Sequence, residues 1–504
     1  MRCCRRVLGV LAVVMLGGVL WGSLAAAGDD RDDGSKGKKG GALFVMTNDA
    51  VLGNRIAMYK RAANGDLSGP TFFPTGGLGS GPAPTAQIFR LASGGALPLV
   101  SAQFDGLGSS NSLILSKDNR CLFAVNAGSN TVSSFRVRDN GLDRMSVVDS
   151  EGRFPVSLTA YHDVLYVLNT GEGNPDLEDI LQPLVPASLA GFRVHDCALE
   201  SLGKARDLSD LQEQLPEELG GPDPSFPIPA PNEVLTTPAQ VSFTPDGRRL
   251  VLSIKGLAGA DVTGGQLQSL PNGRMAVFPV RPNGQLGTPM VTPFSFADGT
   301  GGPFSFIFIN PVKLVVVHAN SGTVASFTLN PDHSLSLTKD AEPISTGAFA
   351  PCWLDGNERF VYTASFGAPS GVLEIIGFPG QPDASGALTG FRVKQGGTLE
   401  PLGEKGNYNY RDPGYFPGLS GTGNHAIDVR VIDKFLYFIQ PRVGMIGRLT
   451  IGHDGSLMDE EHFGGLAVGL EPYPAPNFFD RCFLQNPVVS PECYTGSAQG
   501  IAGF

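Results

Sequence analysis

The sequence predicts an all-β protein: a seven-bladed β-propeller of four-stranded antiparallel blades, closed where a C-terminal strand pairs into the first blade. Three observations predict it. One hairpin phrase returns seven times along 504 residues, the mark of a repeat architecture. A further strand-like run precedes the phrase from the second copy onward and a short one follows it, giving four strands per unit. Glycine (67) and proline (39) are abundant and charge is sparse (17%), which suits short strands joined by tight turns, and no stretch shows a helical period.

The phrase is clearest in DNRCLFAVNAGSNTVSSFRVRDNGL (118–142). A charged turn leads into an apolar run that ends in a polar residue. A small-residue loop, an alternating run and a turn with Gly and Leu follow, which together read as a β-hairpin. The first copy is ALFVMTND with RIAMYKRAANGDL (42–67). The third is VLYVLNTG (164–171) with LAGFRVHDCALESL (189–202), and the fourth DGRRLVLSIKG (246–256) with MAVFPVRPNGQL (275–286). The fifth is KLVVVHANSGTVASFTLNPDHSL (313–335). The sixth is ERFVYTAS (358–365) with LTGFRVKQGGTLEPL (388–402), and the seventh KFLYFIQPRVGMIGRLTIGHDGSL (434–457).

The preceding runs are SLILSKD (112–118), PVSLTAY (155–161), PAQVSFTPDG (238–247), PFSFIFIN (303–310), PCWLDGN (351–357) and AIDVRVID (426–433). The first copy has none. The segment TGSAQGIAGF (495–504) echoes TTPAQVSF (236–243), so it is expected to supply the missing innermost strand and remove an open sheet edge. The stretch from Leu466 to Cys493 must then cross a face of the ring. Insertions near 172–188 and 205–236 break the spacing; the second, rich in proline and acid, reads as a rim excursion that packs little. A pair of β-sandwiches would not repeat one phrase seven times, and a β-helix would have a shorter, regular period.

Residues 1–27 read as a secretory signal peptide: MRCCRR is basic, VLGVLAVVMLGGVLWGSL apolar, and AAAG offers small residues for cleavage after Ala27. An uncleaved membrane anchor is the alternative. Residues 28–41 read as a flexible linker, and 42–504 as one propeller domain. The expected location is secreted or periplasmic, with no membrane contact after cleavage. The formal charge of −11 becomes −14 without the first 27 residues, which hold three arginines and no acid. So acidic a chain without a basic block is a poor partner for nucleic acid. A monomer is expected. Five cysteines then remain: Cys121, Cys197, Cys352, Cys482 and Cys493. Cys482 and Cys493 are placed to close a short loop in an oxidising compartment. No Cys/His group has zinc spacing, so neither metal nor cofactor is expected.

A site is expected at the mouth where the innermost strands begin and the next strands end. Aligning the units gives two rings there. The innermost-strand ring is Ser112, Ser157, Gln240, Ser305, Trp353 and Asp428, with Gln499 if the tail closes the ring. The second is Thr47, Asn126, Asn169, Ile254, His318, Ser365 and Gln440. Small polar residues there suit a wet funnel; they also suit turn amides and a tapering core. His425 or His318 with Asp428 would serve as acid and base, and Lys255 or Arg153 would stabilise an oxyanion. No nucleophile elbow and no phosphate-cradling loop is present. Asp176, Glu178 and Asp179 lack the spacing of a calcium loop.

At PAQVSFTPDGRRLVLS, GPFSFIF, APCWLD with ERFVYTAS, and AVNAGSNTVSSFRV, the chain resembles the seven-bladed propeller lactonases. That family includes propeller-type 6-phosphogluconolactonase and the 3-carboxymuconate cyclase group. The wording is most similar to that of extracytoplasmic members. The resemblance covers nearly all of 41–504. It implies hydrolysis of a lactone, or interconversion of a lactone and a muconate, in the central channel without a metal. The ligand would be a small lactone or sugar-like molecule. In that family the site uses Glu, His and Arg; here Ile254 stands where relatives place an acid before the lysine. The alternative reading is a non-catalytic secreted propeller that binds a carbohydrate, peptide or protein on one face.

Overall fold

The computed structural model describes residues 40–81, 87–91, 96–99, 106–173, 183–211, 219–222, 238–255, 272–348, 351–365, 387–402, 410–411, 426–441, 444–466 and 498–504. They form seven antiparallel four-stranded blades, and no α-helix occurs among them. From the axis outward, blade 2 is Leu113–Leu115, Cys121–Asn126, Thr131–Arg138 and Gly141–Asp149. The other five blades built from consecutive sequence repeat this order. Blade 1 differs: its outer three strands are Gly41–Met46, Arg55–Arg61 and Leu67–Pro74, and its innermost is Gln499–Gly503. The tail therefore closes the ring as the echo of TTPAQVSF implied, with Phe44 opposite Ala502.

The apolar runs of the phrase are the second strands. Cys121–Asn126, Phe360–Ser365 and Phe435–Gln440 are buried end to end. Their near-continuous hydrophobicity follows from having a neighbouring blade on each face. The outermost strands are the most exposed: in Leu67–Pro74 only Leu67 is buried.

The Gly-Leu turns have a specific task. Tyr437 of blade 7 donates to the Gly65 carbonyl of blade 1 at 2.7 Å, and Tyr362 of blade 6 to Gly455 of blade 7 at 2.8 Å. Tyr166 of blade 3 donates in the same way to Gly284 of blade 4. In each pair a buried tyrosine near the middle of a second strand reaches the outer turn of the next blade. The three glycines have φ of +89°, +93° and +83°, a left-handed turn that only glycine adopts without strain. The turn face is thus bolted blade to blade.

A disulfide adds to this. Cys121, after the first turn of blade 2, is bonded to Cys197, in the outer turn of blade 3, with Cα atoms 5.3 Å apart. The sequence reading did not foresee this pair, because the partners are 76 positions apart and share no motif. Cys482 and Cys493 lie outside the described residues, as do the signal segment, His425 and Asp176–Asp179.

The opposite face carries the insertions. Every long interruption of the phrase falls between a second and a third strand or between one blade and the next, and both kinds of connection emerge on the face where the innermost strands begin. The inserted segments make structure of their own. Glu172–Gly173 pairs with Pro183–Val185. Leu219–Pro222, Gln87–Leu91 and Ala96–Leu99 form a three-stranded sheet drawn from two separate insertions. Within 205–236, read as packing little, Arg206–Asp207 pairs with the third strand of blade 3, and Leu208 and Leu211 are buried.

Candidate functional site

The innermost strands enter through a repeated irregularity. In blades 3, 4 and 6 the register shifts by one residue just after the entry proline, between Pro155 and Ser157, Pro238 and Gln240, and Pro351 and Trp353. Blade 7 shifts between Ile427 and Val429, which leaves Asp428 on the bulge at φ +50°. A bulge re-aims the side chains beside it. The register also corrects the ring: Ile501 pairs with Val45 as Val429 pairs with Phe438, so the blade 1 member of the innermost ring is Gly500, not Gln499.

Those side chains do not line a wet funnel. Ser112, Ser157, Gln240, Ser305 and Trp353 are all buried. Several tie one innermost strand to the next. Ser157 Oγ accepts the Val241 amide at 3.2 Å. The Gln240 carboxamide bridges Phe306, donating to its carbonyl at 2.7 Å and accepting its amide at 2.9 Å. These contacts satisfy backbone groups that an unpaired innermost edge would leave open.

What fills the mouth is a short run of backbone, Leu107–Ser110. The Leu107 amide donates to Gln499 Oε1 of blade 1 at 2.9 Å. Ser109 Oγ donates to the Val156 carbonyl of blade 3 at 2.9 Å, and the Ser110 amide to the Ala239 carbonyl of blade 4 at 3.1 Å. Ser305 Oγ of blade 5 lies 3.4 Å from Ser110 Oγ, and Trp353 Nε1 of blade 6 donates to the Ser109 carbonyl at 3.0 Å. Lys255 Nζ, at the exit of the second strand of blade 4, donates to the Gly108 carbonyl at 2.8 Å and stands 5.4 Å from the Phe304 ring centroid. A segment bonded to five other blades lies on the axis.

The structure therefore gathers Lys255, Trp353, Ser305 and Gln499 around one segment. The second ring is dispersed into the spaces between blades. Asn126 donates to Ser133 Oγ and Thr131 Oγ1 and accepts from Asn54. Asn169 donates to the Ser150 carbonyl at 3.0 Å. Gln440 Oε1 stands 2.9 Å from His462 Nδ1, whose other nitrogen pairs with Glu460 at 2.6 Å. Arg153 is exposed, two residues ahead of Pro155.

His318 is wholly buried, wedged between Phe294 and Phe327 with ring centroids 5.7 and 5.8 Å away. Burial pulls its pKa from 6.5 down to about 3, so it is neutral and shielded. This corrects its assignment as acid or base at the mouth: the apolar wedge between blades 4 and 5 claims the imidazole.

A second polar pair, which the ring alignment overlooked, lies two residues further along the same strands. Asp355 Oδ2 of blade 6 accepts the Val431 amide at 2.7 Å and stands 3.8 Å from Arg430 Nη1 of blade 7. Burial raises the Asp355 pKa, and Arg430 opposes the rise. The period of two from Trp353 and Asp428 leads straight to these residues. Among the described residues no three His, Cys, Asp or Glu side chains gather as metal ligands, and no helix is long and apolar enough to cross a membrane.

No family model and no curated protein sequence matches the chain. Solved structures do. The periplasmic gluconolactonase of Pseudomonas aeruginosa is similar with a TM-score of 0.52 at 16% identity, over 84% of this chain and 96% of that one. A candidate 6-phosphogluconolactonase of Bacteroides fragilis gives 0.51 at 16% identity, over 86% and 98%. Another from Bacteroides uniformis gives 0.52 at 14%, over 85% and 98%. The chain shares their fold. At this identity the likeness speaks for architecture, and function has to be argued from the site.

Proposed function

We propose that the chain is an exported lactone-handling propeller whose site is the axial mouth on the loop face. The observation that carries this is the pair of donors there: Lys255 Nζ and Trp353 Nε1 each hold a carbonyl oxygen, at 2.8 and 3.0 Å. A lactone presents the same group, and a fixed ammonium beside its carbonyl stabilises the oxyanion that forms when water attacks. Asp428, with His425 before it in sequence, would accept the proton from that water, and ring opening would release the hydroxy acid. The structural neighbours described as lactonases support the substrate class. The Cys121–Cys197 bond and the signal-like N-terminus support export.

A second reading, binding without turnover, is favoured by one observation: His318 is locked neutral between two phenylalanines and cannot serve the mouth. A panel of γ- and δ-lactones incubated with the purified chain, with product acids quantified, separates the two. Turnover that falls at least about 100-fold in Asp428→Asn, the lower range for general acid–base catalysis, supports the enzyme. Hydrolysis no faster than in buffer alone would leave the binding reading.

A further inference from the structure

We propose that Leu107–Ser110 is an internal occupant of this mouth: a strap whose Gly108 and Ser109 carbonyls take the places of ligand oxygens, so that strap and ligand exclude one another. The inference rests on reading the mouth as the ligand site, and it adds how access to that site is controlled.

The chemistry of the contacts points this way. The ties between innermost strands join side chains to strand backbone, as Ser157 and Gln240 do. The two long donors at the mouth, Lys255 and Trp353, turn instead to two consecutive carbonyls of the strap. Each contact is a single hydrogen bond that a carbonyl- or hydroxyl-bearing small molecule can replace one for one. Leu107 supplies the only buried apolar side chain of the four.

The strap's sequence suits a removable part. Gly108 has φ +56°, a conformation that suits glycine, and a Cβ there would meet Lys255 Nζ at 2.8 Å and displace the ammonium from its present seat. At the base, a Cβ on Gly106 would run into the Gly81 carbonyl oxygen. The backbone is therefore pinched between Gly81 and Gly106, on either side of 82–105, and the strap projects over the axis from that pinch. Its exit breaks no strand, because the innermost strand of blade 2 begins only at Leu113.

Trp353 reports on the strap directly. The chain has two tryptophans, so in a full-length Trp21→Phe background Trp353 is the sole tryptophan, read selectively by exciting beyond the tyrosine absorption band. In that background Gly106→Val should force the pinch open. Acrylamide quenching of Trp353 should rise several-fold while the circular dichroism of the sheet is kept. Calorimetric affinity for δ-gluconolactone should tighten about tenfold, as when a mouth shut most of the time is released. A folded variant whose Trp353 stays as shielded as in the parent, or that binds δ-gluconolactone no more tightly, would overturn the strap.

Should Gly106→Val not fold, Lys255→Met removes the hold on the Gly108 carbonyl without a clash. Unchanged quenching there would overturn the proposal equally. No binding of δ-gluconolactone to parent or variants would overturn the mouth as a site for carbonyl ligands. Turnover is not read in these experiments, so a chain that opens and binds but hydrolyses nothing keeps the strap and loses only the catalytic reading.

Discussion

The two faces of the ring are built on opposite principles. On the turn face, connections are short, tyrosines bolt three blades to their neighbours' glycine turns, and a disulfide staples blade 2 to blade 3. Arg448, buried over the Phe435 ring, adds a latch from blade 7 to Asp66 and the Asn64 carbonyl of blade 1. On the loop face the insertions gather and the axis is stopped by a glycine-rich segment. Three members of its second ring also keep a buried polar atom without a hydrogen-bond partner: Asn169 Oδ1, His318 Nε2 and Ser365 Oγ. The contrast teaches that a repeat fold can divide its labour by face, with stability held where the turns are identical and variation allowed where they are not.

The division can be broken experimentally. The largest effect is expected at Tyr362, fully buried on the turn-face side. Tyr362→Ala should cost about 3–5 kcal/mol in chemical denaturation, the range for emptying a large aromatic site. It should leave ligand affinity of the folded fraction unchanged; a selective loss of affinity would erase the division. Next comes the staple. Replacing Cys121 and Cys197 together by serine should cost about 2–4 kcal/mol, mostly by loosening the unfolded chain, again without altering the mouth.

His318 should make stability depend on pH. Because the folded pKa of His318 lies near 3 and the unfolded value near 6.5, the unfolded chain takes up a proton that the folded chain refuses between those values. Stability from this residue is therefore complete above about pH 6.5 and is lost as pH falls toward 3, with a slope of up to about 1.4 kcal/mol per pH unit. His318→Leu should flatten the denaturation midpoint against pH across that window; an identical profile in the variant would remove the histidine from the account. The smallest effect belongs to Lys255→Met. It gives up the half-buried hydrogen bond to Gly108 together with the contact over the Phe304 ring, and should shift stability by less than about 1.5 kcal/mol. A larger loss would mean that the strap holds the ring together and the faces are not distinct.

Much of this was legible in the sequence, for a physical reason. Blade count, strand order and closure follow from a local period of two and a phrase that each wedge needs to cover both its faces. LFAV, FVYT and FLYF announce second strands because burial on both sides favours a mostly apolar run, with small polar residues such as Thr363 the exception. The site was less legible. Ser157, Gln240, Ser305 and Trp353 lie on innermost strands and Ser112 just ahead of one, but exposure depends on what lies over the axis, and GLGSS carries no period that says where it goes. The pairs Cys121–Cys197 and Lys255–Gly108 join segments remote in sequence. His318 sits in the ring its alignment assigned, yet the phenylalanines of two blades decide that it is a core residue.

The ring's seam has a consequence for how the molecule is knitted. Six wedges can gather from neighbouring hairpins, each closing a small loop. Blade 1 alone must bring Gln499–Gly503 to Gly41–Met46 from the far side of the sequence. Loop entropy makes that meeting the slowest to find and the last to be secured. Until it happens, two sheet edges stand open on a chain that already has most of its shape. Refolding should therefore pass through a horseshoe, prone to clasp a second horseshoe, before it becomes a circle.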